Sequence, residues 1–111
     1  MNKQSQINLN ISLDENKLPE NISWQATDAG MVQPAGAKAF FLSIWDHADQ
    51  STLRVDLWTK DMPVDEMKRF FYESLVTMAD TYQRATSDDD NAEDLRKFAK
   101  LFGEKTEVIK K

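Results

Sequence analysis

The single histidine, His47, stands in the same stretch as Asp46, Asp49, Asp56 and Asp61, and imidazole beside carboxylate is the pairing that proton transfer or metal ligation would use. The spacing is irregular, and one imidazole among scattered carboxylates fits no structural zinc pattern. A turn flanked by Asp and Gln is also where solvated polar side chains collect, so His47 is expected to be a turn residue. Asp88, Asp89 and Asp90 form a second acidic group. A calcium loop of the EF-hand type needs alternating ligands, a central glycine and a bidentate glutamate at its twelfth position. This run has no such glycine, and helix capping with solvation explains it. Cysteine is absent, which removes disulfides, thiolate ligands and thiol nucleophiles together. Three glycines leave no material for a phosphate-cradling loop, and no serine sits in a GxSxG elbow. Carboxylate pairs for hydrolysis assemble in three dimensions, but no pair is singled out here. The chain is accordingly expected to be no enzyme, with no catalytic, cofactor-binding or metal-binding residue.

The elements that would hold any site are bounded by composition. With 41% hydrophobic and 30% charged residues over 111 positions, one folded domain spanning 1–111 is expected. The net charge of −5 has the wrong sign for a partner of the nucleic-acid backbone. Met1 to Gln6 carry one lysine and lead into alternating residues, unlike a secretory signal, and no apolar run has transmembrane length. Cytoplasmic location without membrane insertion is the expectation.

Ile7, Leu9, Ile11 and Leu13 alternate with Asn8, Asn10 and Ser12, a period that a strand uses to bury one face. Asp14 to Glu20 reads as a turn, and Ile22, Trp24 and Ala26 as a shorter second strand. The stretch from Asp28 to Gly36 is a loop. From Ala37 to Asp46 both alternating sets are apolar, with Phe41 and Trp45 on one side and Phe40, Leu42 and Ile44 on the other, so a strand here wants cover on both faces. A helix from near Ala35 is the rival for 37–45. After a polar turn, Leu53, Val55 and Leu57 alternate with Arg54, Asp56 and Trp58, which makes a hairpin. Pro63, with Asp65 and Glu66 behind it, opens a helix. Met67, Phe70, Phe71, Leu75, Met78, Ala79 and Tyr82 then form one stripe over about six turns. The TSDDDN segment ends it, and Asp90 with Glu93 resembles a capping box for a second helix that continues toward Lys110 and Lys111. The fold class is thus α+β: a four-stranded antiparallel sheet followed by two C-terminal helices packed on one face.

Two helices shelter one side of such a sheet and leave the other. Trp58, Phe40, Leu42, Ile44 and Trp45 therefore form the expected protein-binding set, meeting either a second copy, which makes a homo-oligomer, or a client protein.

The segments LDENKLPENISW (Leu13 to Trp24), SIWD (Ser43 to Asp46) and DLWTKDMPVDEMK (Asp56 to Lys68) resemble, in order and spacing, the gliding-motility accessory protein family GldC of the Bacteroidetes. The resemblance covers most of the chain, and the tail after Asn91 is less distinctive. It implies a small soluble protein that supports surface gliding, with partners in the gliding or secretion machinery, and it brings no known catalytic residue. Four strands followed by two helices are also similar in topology to the export chaperone SecB, which suggests a holdase for secretion or motility clients as the alternative. Fold likeness of that kind does not fix function.

Overall fold

The alternation at the start of the chain becomes strand β1 (Ile7–Leu13), which runs antiparallel to β2 (Pro19–Ala26), with Leu9 opposite Trp24 and Ile11 opposite Ile22. The turn between them is built on one carboxylate. Asp14 Oδ1 accepts the backbone N–H groups of Asn16 at 2.8 Å and Leu18 at 3.0 Å, an Asx arrangement that lets a side chain do the work of a backbone turn. Lys17 adopts φ +64° to complete it. Pro19 and Glu20, expected in the turn, instead begin β2, where proline's missing N–H costs little at a first strand position.

The computed structural model describes residues 3–111, and the chain divides into two compact units, one ending at Met62 and the other comprising Pro63–Lys111. In the first unit a 3-10 turn at Thr27–Ala29 closes on Gly30 at φ +66°, a left-handed conformation that glycine reaches without steric cost. Then come β3 (Ala35–Ala37), β4 (Ala39–Trp45) and β5 (Thr52–Trp58). The rival helix is absent and 39–45 is a strand. The expected single four-stranded sheet is not what forms: β1-β2-β3 make one antiparallel sheet and β4-β5 a second, two-stranded one. The reason lies at Lys38. Ala35, Gly36 and Ala37 pair with Trp24, Ser23 and Ile22 of β2, whereas the Lys38 carbonyl accepts the Thr59 N–H at 2.7 Å and the residues after it pair with β5. The extended chain therefore changes partner at one residue. Three small side chains before Lys38 carry no alternation from which that exchange could be read. All three tryptophans, Trp24, Trp45 and Trp58, belong to this unit.

The second unit is a helical pair. Helix α1 (Val64–Thr86) starts directly after Pro63 with Asp65 and Glu66 in its first turn, and ends on Ser87 at φ +58°. Helix α2 (Asp89–Lys105) is capped by Asp88 and not by Asp90: the Asp88 carboxylate accepts the Asn91 N–H at 3.2 Å and the Tyr82 hydroxyl at 2.8 Å. Asp88 wins because its side chain reaches both the first turn of α2 and the last turns of α1, which Asp90, inside the helix, cannot do. The helix also stops short of Lys110. Gly103 gives its carbonyl to the N–H groups of Val108 and Ile109, at 2.9 and 3.2 Å, so the chain folds back over the last turn.

The seam between the helices is made of small residues. Ala79 of α1 and Ala92, Ala99 and Gly103 of α2 are buried, and a Cβ on Gly103 would stand 2.7 Å from two ring carbons of Tyr72. Glycine at 103 is thus what permits the close approach. Arg96 completes the seam, bonding Asp80 at 2.9 Å and Gln83 at 2.5 Å. Among the described residues no large side chain is fully buried.

Candidate protein-binding surface

Register decides which side chains of the β4-β5 hairpin share a face. Phe40 stands opposite Leu57, Leu42 opposite Val55 and Ile44 opposite Leu53, so one face is apolar at all six positions. On the other, Ala39 pairs with Trp58, Phe41 with Asp56, Ser43 with Arg54 and Trp45 with Thr52, which interleaves aromatic and polar groups. There the Arg54 guanidinium lies 5.9 Å from the Phe41 ring centroid and forms an ion pair with Asp56 at 3.0 Å. The five residues singled out from the sequence are therefore spread over both faces: Phe40, Leu42 and Ile44 on the first, Trp45 and Trp58 on the second. Exposure is high toward the hairpin tip, at 50% for Ile44, 52% for Leu53, 49% for Val55 and 68% for Trp45.

Leu53, Val55 and Leu57 complete the apolar face, yet their alternation with polar neighbours reads in sequence as an ordinary half-buried strand. What would have marked them is the pairing of their face with Phe40, Leu42 and Ile44, and that depends on a register set by the tip. At the tip, Asp46 accepts the Asp49 N–H on its carboxylate at 2.7 Å and the Gln50 N–H on its carbonyl at 3.0 Å, while its own N–H donates to Ser51 at 2.8 Å. Asp46 thus shapes the turn that carries His47. Among the described residues no three His, Asp or Glu side chains converge as a metal site.

At the opposite end of the hairpin, Trp58 is 55% exposed and walls a cleft of about 320 Å³ with Leu18, Pro19, Asp56, Leu57 and Lys60. Such a volume lies at the lower end of the range of ligand-sized clefts. Its cationic edge is fixed, since Lys60 Nζ bonds Asp14 Oδ2 at 2.9 Å. The Leu18 N–H, followed by the Lys60 ammonium, holds the Asp14 carboxyl below the ordinary carboxylate value. The hydrogen bond to Asp14 holds Lys60 above the ordinary ammonium value. The pair is consequently ionised throughout the neutral range, and its two charges partly neutralise each other beside the apolar wall.

Residues 19–108 match the model of the family described as gliding motility-associated protein GldC-like. The chain belongs to that family. No curated protein and no solved structure matches it. In this GldC-like chain the matched span begins with β2 and runs through the fold-back after α2. It therefore includes the hairpin, the Trp58 cleft apart from Leu18, and the less distinctive tail beyond Asn91 as far as Val108. Membership associates the chain with gliding motility. Among the described residues no helix is long and apolar enough to cross a membrane.

Proposed function

We propose that this GldC-like chain is a non-enzymatic, cytoplasmic accessory of gliding motility that acts by binding another protein through its β4-β5 hairpin. The observation that carries the reading is the face formed by Phe40, Leu42, Ile44, Leu53, Val55 and Leu57, apolar at every cross-strand position and half-exposed toward the tip. Soluble proteins rarely leave a contiguous apolar patch in water unless something docks there. Covering Ile44, Leu53 and Val55, each about half exposed, would contribute about 3 kcal/mol of apolar burial, offset in part by the cost of association. The Trp58 cleft supplies a place for an anchoring side chain on the same hairpin.

Val55→Lys tests the face, because the side chain is exposed and its replacement leaves the backbone ladder intact. In a gliding bacterium the variant should reduce surface spreading and lose the crosslinked partner that the unaltered protein retains, with an unchanged far-UV circular dichroism spectrum. Normal spreading together with an unaltered crosslinking pattern would sink the proposal. The same face would also suit a SecB-like holdase; protection of unrelated unfolded proteins from aggregation would point to that broader role, and selective crosslinking to a dedicated one.

A further inference from the structure

We infer that the apolar face of the α1-α2 pair is a contact between two copies of this chain. The seam is built from the small residues Ala79, Ala92, Ala99 and Gly103, and at 100° per residue the large apolar side chains beside it fall on one common side of the pair. Phe102 joins the two helices there, its ring centroid 6.5 Å from both Phe71 and Phe98. Around that bridge Phe71 is 44% exposed, Met78 59%, Leu95 40% and Phe98 53%.

Area and charge together point to a second copy. These four side chains offer roughly 400 Å² of apolar surface, and a standard interface removes roughly 800 Å² per partner, a little over half of it apolar. The face is therefore as large as the apolar centre of one symmetric interface. At 100° per residue, the arc of α1 from Thr81 through Met78 and Phe71 to Leu75 holds no charged residue, nor does the arc of α2 from Phe98 through Leu95 to Ala92. A chain of net charge −5 repels its own copy wherever acidic groups meet. Within these arcs none would meet, and an isologous contact of this kind sets two helical pairs into a four-helix arrangement.

Sedimentation of the full chain over a wide concentration range tests this. The unaltered protein should approach twice its 12.8 kDa, whereas Phe98→Lys and, independently, Met78→Glu should weaken association by on the order of a hundredfold, since each change enters the interface twice. Helical circular dichroism reports whether each variant is folded. Should Phe98→Lys fail to fold, Met78→Glu, at the most exposed of the four positions, supplies the readout. Val55→Lys should leave the dimer intact, which separates this contact from the sheet face. A protein that stays at 12.8 kDa at every concentration would overturn the inference, as would folded Met78→Glu and Phe98→Lys proteins that associate as tightly as the original.

Discussion

Asp88 shows how much one carboxylate can organise in a small protein. It closes the first turn of α2 through the Asn91 N–H, accepts the Asn91 side-chain amide at 2.7 Å, and receives the Tyr82 hydroxyl from α1. Its carboxyl titrates below the ordinary range, chiefly because of the Asn91 side chain and then Tyr82. A folded-state pKa lower than the unfolded one adds stability that is present above the unfolded carboxylate value, about 3.9, and is lost as pH falls through the folded value. Asp14 adds a share of the same sign through Leu18 and Lys60. Asp88→Asn keeps a competent cap but removes this titration, so its thermal midpoint should lie below that of the unaltered protein at neutral pH and fall less steeply with acid, the two converging as the carboxylate protonates. Parallel acid limbs in the two melting series would contradict this. The sequence pointed to Asp90 among three adjacent aspartates because Glu93 follows it, but the cap is Asp88, since the choice rests on Tyr82 being in reach across the helix junction.

At the scale of elements, legibility followed the strength of the repeating pattern. Helix α1 was readable from start to finish because Pro63 fixes its first turn and apolar residues recur at spacings of three and four along its length. Strand β5 was readable from alternation, whereas β4, apolar in both alternating sets, also admitted a helix. The sheet division was not readable, since Ala35, Gly36 and Ala37 have no side chains large enough to display a face. The helix seam also escaped the pattern, for the apolar stripe suggests the contact while the small residues make it. Gly103→Ala measures that distinction. Helix propensity alone favours alanine by about 1 kcal/mol, yet the new methyl would meet the Tyr72 ring, and overpacking of this kind costs about 1–3 kcal/mol. Gly103→Ala should therefore destabilise the chain, and in a Tyr72→Ala background it should turn stabilising. Additive effects in that double-mutant cycle would show that the two residues do not constrain each other.

For the whole molecule, the described residues include no large side chain that is fully buried, while apolar side chains are prominent at the surface of each unit. Stability and adhesion are thus drawn from the same limited set of residues, as in other short chains where little core exists. The native protein should bind a hydrophobic reporter dye at neutral pH. With the helical face shielded by a second copy, Val55→Lys should diminish the dye signal strongly at concentrations where the chain is dimeric. Equal signals from Val55→Lys and the unaltered protein would show that the dye, and by extension a partner, goes elsewhere. His47, for all its chemical promise, belongs to the turn that Asp46 shapes, and among the described residues no group of metal-ligating side chains converges.

Trp24, Trp45 and Trp58 all sit in strands, and the α1-α2 pair has none. Nature has in effect labelled the two units with different colours: indole emission watches the sheets, while ellipticity at helical wavelengths watches the other half. A partner arriving at the hairpin should shift emission and leave the helical signal still, so binding and folding can be followed separately in one cuvette without attaching any probe.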